Sequence, residues 1–255
     1  MTPTLFDMHC HLGFCGDAAR AAADLAACGL GAFSNTVTPA EFAGQKAALS
    51  DAPDVRVGVG LHPWWVGEDG TGTCELGDLR QLVAANRFVG EMGLDFSPRH
   101  VAAREAQLRV FETIALASAE AGGKVLSIHA VHAVDDVLGV LEQAGALASA
   151  AGNACIIHWF SGTSDQLTRA RRAGCFFSVN PRMLTSKRGC AYAQAIPADR
   201  LLLETDEPAS AGAPWSAERV RWVLADTLQQ LAALRNEDPV ALQEQIAATS
   251  KRLLG

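Results

Sequence analysis

The sequence predicts a single (β/α)8 barrel, and three observations carry that expectation. Short apolar, β-prone runs alternate with helix-forming stretches through eight rounds. The 255 residues fit the roughly 250 usual for this fold. No glycine-rich G-x-G-x-x-G turn follows the first strand, which puts the rival doubly wound sheet second. No repeat, low-complexity tail or composition shift marks a boundary, so residues 1–255 read as one domain.

The first strand is Leu5-Phe6-Asp7-Met8-His9-Cys10-His11, where strict alternation would put Asp7, His9 and His11 on one face and Met8 and Cys10 on the other. Residues 17–28 are rich in helix formers and stop at Gly29 and Gly31. A strand is expected over 32–37. The segment Thr38-Pro39-Ala40-Glu41 then has a cap residue, an N1 proline and a glutamate in capping-box position, predicting a helix to about Leu49. A third strand over 55–61 ends in His62-Pro63-Trp64-Trp65. A loop over 67–73 and a helix over 76–85 lead to a fourth strand at 87–92. Residues 101–120 carry Leu108, Phe111, Ile114 and Leu116 at helical intervals and close on Gly122-Gly123. Strands follow at 125–129, 155–159, 175–179 and 201–205, with helices at 133–147 and 164–173. Pro181, Arg182, Lys187 and Arg188 are placed in a loop, and two final helices over 216–254 split near Asp238-Pro239.

Composition narrows the function classes. The chain is 49% hydrophobic and 19% charged, which suits a packed core, and its net charge of -7 excludes a generally basic surface that coats DNA. Seven scattered cysteines without a C-x-x-C pair do not form a disulfide framework. The start, Met1-Thr2-Pro3-Thr4, lacks signal-peptide features, and the Ala-rich run at 18–27 is broken by Arg20 and Asp24. The expectation is a cytoplasmic protein with no membrane span.

Barrel enzymes draw their functional groups from the carboxyl ends of strands. Here those ends carry His9 and His11, His62, Glu91, His129, His158 and Asp206, so five of seven histidines fall at strand ends. Singly, each has a plain structural alternative: a histidine pair two apart is as compatible with polar strand-end residues as with ligands, and His129 or His158 alone fits a satisfied core histidine. Jointly, His9, His11, Glu91, His129, His158 and Asp206 point to metal binding. Six ligands exceed the three or so protein ligands of one open catalytic ion. Two ions sharing Glu91 fit the number and suit phosphodiester hydrolysis. Mixed imidazole and carboxylate donors are compatible with Mg, Mn or Zn.

Four stretches carry a resemblance: Asp7-Met8-His9-Cys10-His11-Leu12, Gly90-Glu91-Met92-Gly93-Leu94-Asp95, His158-Trp159-Phe160-Ser161-Gly162 and Leu203-Glu204-Thr205-Asp206. In order, they resemble the signatures of the TatD-type metal-dependent deoxyribonucleases, from Phe6 to about the last helix. Residues 123–129, 158–162 and 177–184 more narrowly resemble the TatD-like component of bacterial Qat anti-phage cassettes, which implies partner proteins from such a cassette. The resemblance implies that His9, His11, Glu91 and Asp206 bind one ion and Glu91, His129 and His158 the other. Asp206 would also direct or deprotonate the attacking water, Glu91 and Asp206 together forming the catalytic pair, and His62 would face the substrate.

The family often has Ser-Arg after the fifth-strand histidine, whereas this chain has Ala130-Val131-His132. Arg182, Lys187 and Arg188 are the candidate substitutes for phosphate contact, with solvated loop charge as an equal alternative. Trp64, Trp65 and Trp159 adjoin site residues and are candidates for base stacking, against the commoner core role of tryptophan. Three functions remain open: a two-metal phosphodiesterase acting on DNA, an amide or ester hydrolase on the same barrel, and a non-catalytic nucleotide-binding subunit of a defence complex.

Overall fold

Eight parallel strands run around the molecule in chain order, each hydrogen-bonded to the next from first to eighth. The computed structural model describes residues 3–68 and 76–255. Its elements are β1 (Leu5–Cys10), α1 (Ala18–Ala27), β2 (Leu30–Asn35), α2 (Pro39–Ala48), β3 (Val55–Leu61), α3 (Leu76–Ala85), β4 (Phe88–Asp95), α4 (Arg104–Ala121), β5 (Val125–Val131), α5 (Val134–Gln143), β6 (Ala154–His158), α6 (Ser164–Arg172), β7 (Phe176–Val179), α7 (Lys187–Ala195), β8 (Leu201–Leu203), α8 (Ala217–Arg235) and α9 (Pro239–Leu254). The ring closes beyond β8, where the Asp206 N–H donates to the His9 carbonyl at 2.9 Å and the His11 N–H to the Glu207 carbonyl at 3.0 Å. The fold is the predicted (β/α)8 barrel.

Burial divides the apolar residues into two cores. The larger lies between strands and helices and includes Leu25, Phe111, Leu138 and Leu224. The smaller joins Phe6, Met8, Phe33, Ile156, Phe176 and Leu202, from strands as far apart in the ring as β2 and β6, with Leu253 and Leu254 of α9. Side chains from non-adjacent strands meet only inside a barrel, so this second core fills its amino-terminal half. The carboxyl half of the interior is left to polar groups.

Helix starts are set by side-chain caps. Asp17, Ser186, Ser216 and Asp238 each accept a backbone N–H of the first turn. Thr163 and Gln166 form a reciprocal capping box. The box expected at α2 does not form. Thr38 makes no cap bond, and the Glu41 carboxylate accepts instead from the Val37 N–H at 3.2 Å. The predicted 181–188 loop also differs: Pro181–Thr185 is a 3-10 turn, and Lys187 opens α7 behind its Ser186 cap. Of the loop predicted over 67–73, residues 69–73 lie outside the described residues.

Two bulges break the strand alternation. Between Asp7 and Cys10 of β1, three steps pair with two steps of β2, Ala32 to Ser34. Between Val89 and Met92 of β4, three steps pair with two of β5, Leu126 to Ile128. An extra residue in one strand re-aims the side chains around it. Met8 therefore packs inside the barrel while Cys10 packs in the outer core, correcting the expectation that the two share a face. Gly60 and Gly90 permit the β4 bulge: a Cβ on Gly90 would strike the Asn35 amide, and one on Gly60 the Glu91 backbone.

Candidate metal centre

Seven predicted side chains converge at the carboxyl mouth of the barrel: His9 from β1 and His11 just after it, His62 after β3, Glu91 from the β4 bulge, His129 from β5, His158 from β6 and Asp206 after β8. Glu91 lies at the middle and is 1% exposed. Its two oxygens face different partners. Oε2 is 3.2 Å from His9 Nε2 and 3.3 Å from His11 Nε2. Oε1 is 2.8 Å from His129 Nδ1, 3.0 Å from His158 Nε2 and 3.1 Å from His62 Nε2. Asp206 Oδ1 completes the first group, 3.4 Å from His11 Nε2 and 3.6 Å from His9 Nε2.

The far nitrogen of each ring says which way its lone pair points. His11 Nδ1 lies 3.0 Å from the Asn35 carbonyl, an acceptor only, so this nitrogen carries the proton and Nε2 offers its lone pair to the cluster. His129 Nε2, 3.1 Å from Asp95 Oδ2, is likewise the donor, leaving Nδ1 free. His9 Nδ1 is 2.6 Å from the Ser127 hydroxyl. His62 is arranged the other way. Its Nδ1 accepts the Trp64 N–H at 3.1 Å, so in the neutral ring the proton sits on Nε2 and is donated to Glu91. His62 thus positions the carboxylate, and its ring also lines the cleft above the cluster.

The donor set suits a divalent cation. With bonds of about 2.0–2.1 Å, neighbouring donors lie roughly 3.3 Å apart around a tetrahedral centre and roughly 2.9 Å around an octahedral one. The five measured separations in the His9, His11, Glu91 and Asp206 group run from 3.2 to 3.6 Å. Those among Glu91 Oε1, His129 Nδ1 and His158 Nε2 run from 2.8 to 3.4 Å. His9, His11 and Asp206 offer donor atoms within 4.8 Å of one another. His158 Nδ1 and Glu204 Oε1, 3.6 Å apart, are buried without a hydrogen-bond partner.

Electrostatics points the same way. Burial pushes Glu91 upward, but His62, His9 and His158 hold it well below the usual carboxylate range. Burial likewise opposes, and His11 and His9 outweigh it, at Asp206, which is also lowered. Burial lowers His9 and takes His62 down to about 4. His11, for which burial is outweighed by Asp206 and Glu91, rises to about 10. Two ionised carboxylates thus demand positive charge between them, which a proton on His11 or a divalent ion supplies.

Several supporting residues escaped the sequence reading. Asp95, in the quoted fourth-strand motif, accepts from His129 and from the Trp64 indole N–H at 2.7 Å. Glu204 accepts from the Ser178 hydroxyl behind His158. Asp7 lies outside the cluster. Its carboxyl accepts from the Thr205 N–H at 3.0 Å and hydroxyl at 2.5 Å, and burial pushes it up to about 8. Trp159 and Asp206 take left-handed backbone, with φ of 40° and 59°, a conformation uncommon outside glycine that collects at functional sites.

Above the cluster opens a cleft of about 470 Å³, lined among others by His11, Trp64, Trp65, Trp159, Arg182 and Asp206. The Arg182 guanidinium sits 5.1 Å from the centre of the Trp159 ring. Lys187 and Arg188, grouped with Arg182 in the sequence reading, do not line this cleft; the Ser186 cap starts α7 and carries both onto an exposed turn.

Residues 6–255 match the family model described as TatD related DNase. The chain belongs to this family. A relative from Erwinia billingiae, a 3'-5' ssDNA/RNA exonuclease TatD, is 32% identical over 206 residues, covering 76% of this chain and 75% of the relative. A deoxyribonuclease Tat-D of Schizosaccharomyces pombe is 31% identical over 119 residues, covering 47% of this chain and 37% of its own length. Among solved structures, a TatD family hydrolase from Entamoeba histolytica superposes with a TM-score of 0.80 at 17% identity, covering 99% of this chain and 98% of the other. The YjjV TatD homologue of Escherichia coli K12 gives 0.75 at 20% identity, with the same coverage. As a TatD-family protein the chain is a metal-dependent hydrolase of the nuclease class, acting on phosphodiester bonds. No helix among the described residues is long and apolar enough to cross a membrane.

Proposed function

We propose that the protein is a two-metal deoxyribonuclease that cleaves single-stranded DNA ends. The observation that carries this is the division of Glu91: one oxygen faces His9 and His11, beside Asp206, and the other faces His129 and His158. His9, His11, Glu91 and Asp206 would hold one divalent ion and Glu91, His129 and His158 the second. When bound, such a pair supplies positive charge at both the attacking and leaving oxygens of an in-line displacement at phosphorus. The protein's own part is positional. His62 and Asp95 fix the Glu91 carboxylate and the His129 ring, and Asp206 accepts the proton of the attacking water. Arg182 stands in for the arginine absent at Val131 and steadies the phosphate.

The named activity of the Erwinia relative supports single-stranded ends as the substrate class. The stretches at 123–129, 158–162 and 177–184 support a place in a cytoplasmic anti-phage cassette, alongside the other proteins of that cassette. The test is a metal-depleted sample assayed on end-labelled single-stranded DNA with Mg, Mn or Zn added back. Cleavage restored by metal is the expected result. Hydrolysis of amide or ester substrates with none of DNA would replace this reading with the alternative hydrolase.

A further inference from the structure

Trp64 and Trp65 lie on the 3-10 turn Pro63–Trp65 that follows β3, and they are 53% and 40% exposed. Burying an indole is among the largest apolar gains available to a side chain. Two adjacent exposed tryptophans on the wall of the metal cleft therefore invite an occupant.

Three observations say what kind. The rings are parallel: Trp64 lies 8° from the plane of His100 with centroids 5.0 Å apart, and 11° from that of Trp65 at 6.5 Å. Trp64 is also fixed, because its indole N–H donates to Asp95 Oδ2, the same oxygen that holds His129 Nε2. The ring therefore stands at a set distance from the cluster. Finally, Trp159 and the Arg182 guanidinium above it enter the same cleft from the ends of β6 and β7. In a ring of eight strands β7 stands diametrically opposite β3, which places a cation across the mouth from the platform.

We infer that Trp64, itself stacked on His100, and Trp65 form a stacking platform for the unpaired base next to the phosphate being cleaved, with Arg182 on the strand's backbone across the cleft. Flat aromatic faces take any base, whereas a base inside a duplex has both faces covered by its neighbours. The platform thus makes the enzyme select unpaired or frayed ends while remaining indifferent to sequence. This rests on the nuclease reading above.

The test compares two 5'-labelled single-stranded oligodeoxynucleotides, one intact and one with abasic residues at its last two 3' positions. The metal-loaded wild type should favour the intact end in kcat/KM by roughly 5- to 150-fold, the range that one stacked base contributes. In Trp64→Leu/Trp65→Leu that ratio should fall to near one, through loss on the intact end. The single Trp65→Leu should lower the ratio partway and Trp65→Phe, which keeps a ring, should restore most of it, so a double variant that misfolds leaves the question answerable. Equal cleavage of both ends by the wild type, or full discrimination in folded Trp65→Leu, overturns the platform while leaving the nuclease reading intact. Failure of the metal-loaded wild type to cleave either oligonucleotide overturns both.

Discussion

Asp206→Asn should abolish DNA hydrolysis in a protein that still folds. Of the two carboxylates in the cluster, Glu91 is enclosed, with its side chain 2% exposed, whereas that of Asp206 is 23% exposed and opens on the cleft. Asp206 Oδ1 is turned to His11 and His9 at 3.4 and 3.6 Å, which leaves its other oxygen as the proton acceptor for a water in the cleft. The substituted amide keeps one oxygen for the cluster but presents a donor NH2 where the acceptor stood. Loss of a general base lowers rate by about 10²–10⁴-fold, or about 2.7–5.5 kcal/mol of transition-state stabilisation. The change is isosteric and partly exposed, so the melting temperature should move little. The assay is kcat on end-labelled single-stranded DNA, with thermal melts and elemental analysis of the same preparation. A folded, metal-loaded Asp206→Asn protein that cleaves within about threefold of wild type would refute the proton-acceptor role.

Glu91→Gln should lose metal from both donor groups, because each faces one oxygen of the same carboxylate; elemental analysis that finds only one of two ions gone counts against a shared ligand. Chelation should lower the melting temperature as well as stop cleavage. An ion present at 100 times its Kd contributes about 2.7 kcal/mol, roughly 5–10 °C for a domain of this size, and a melt unchanged by chelator would argue that no ion is held. Lys124→Met tests the fold apart from the site. Lys124 is 5% exposed, and its ammonium donates to the carbonyls of Ala84 and Asn86 at 2.7 Å each. Stranding both carbonyls should cost about 2–4 kcal/mol, roughly 5–15 °C, with metal content retained; a melt within 2 °C of wild type would show those bonds to be dispensable, taking about 2–4 °C per kcal/mol.

The sequence by itself determined the order of the barrel and the identity of the cluster. Strand-length apolar runs alternating with helix-forming runs leave little freedom in topology, since parallel neighbours require helical crossovers. Residues at strand ends are brought together by that topology whatever the loops do, so His9, His11, Glu91, His129, His158 and Asp206 meet as their positions implied. Helix ends were less legible. Thr38 and Glu41 match a capping box, yet Glu41 bonds the Val37 N–H, because a cap motif cannot report which nearby donor is left unpaired.

Only the tertiary structure decided how each side chain is aimed. The bulges at Asp7–Cys10 and Val89–Met92 arise from pairing between strands distant in sequence, and alternation read along one strand cannot register an extra residue against its neighbour. That is why Asp7 binds Thr205 and stays out of the cluster, and why Glu91 stands at its centre. The tautomer of His62, the support of Asp95 and Glu204, and the separation of Arg182 from Lys187 and Arg188 likewise depend on partners brought in by folding. Residue types specified the chemistry available; hydrogen-bond partners across strands determined which atom of each residue is free to perform it.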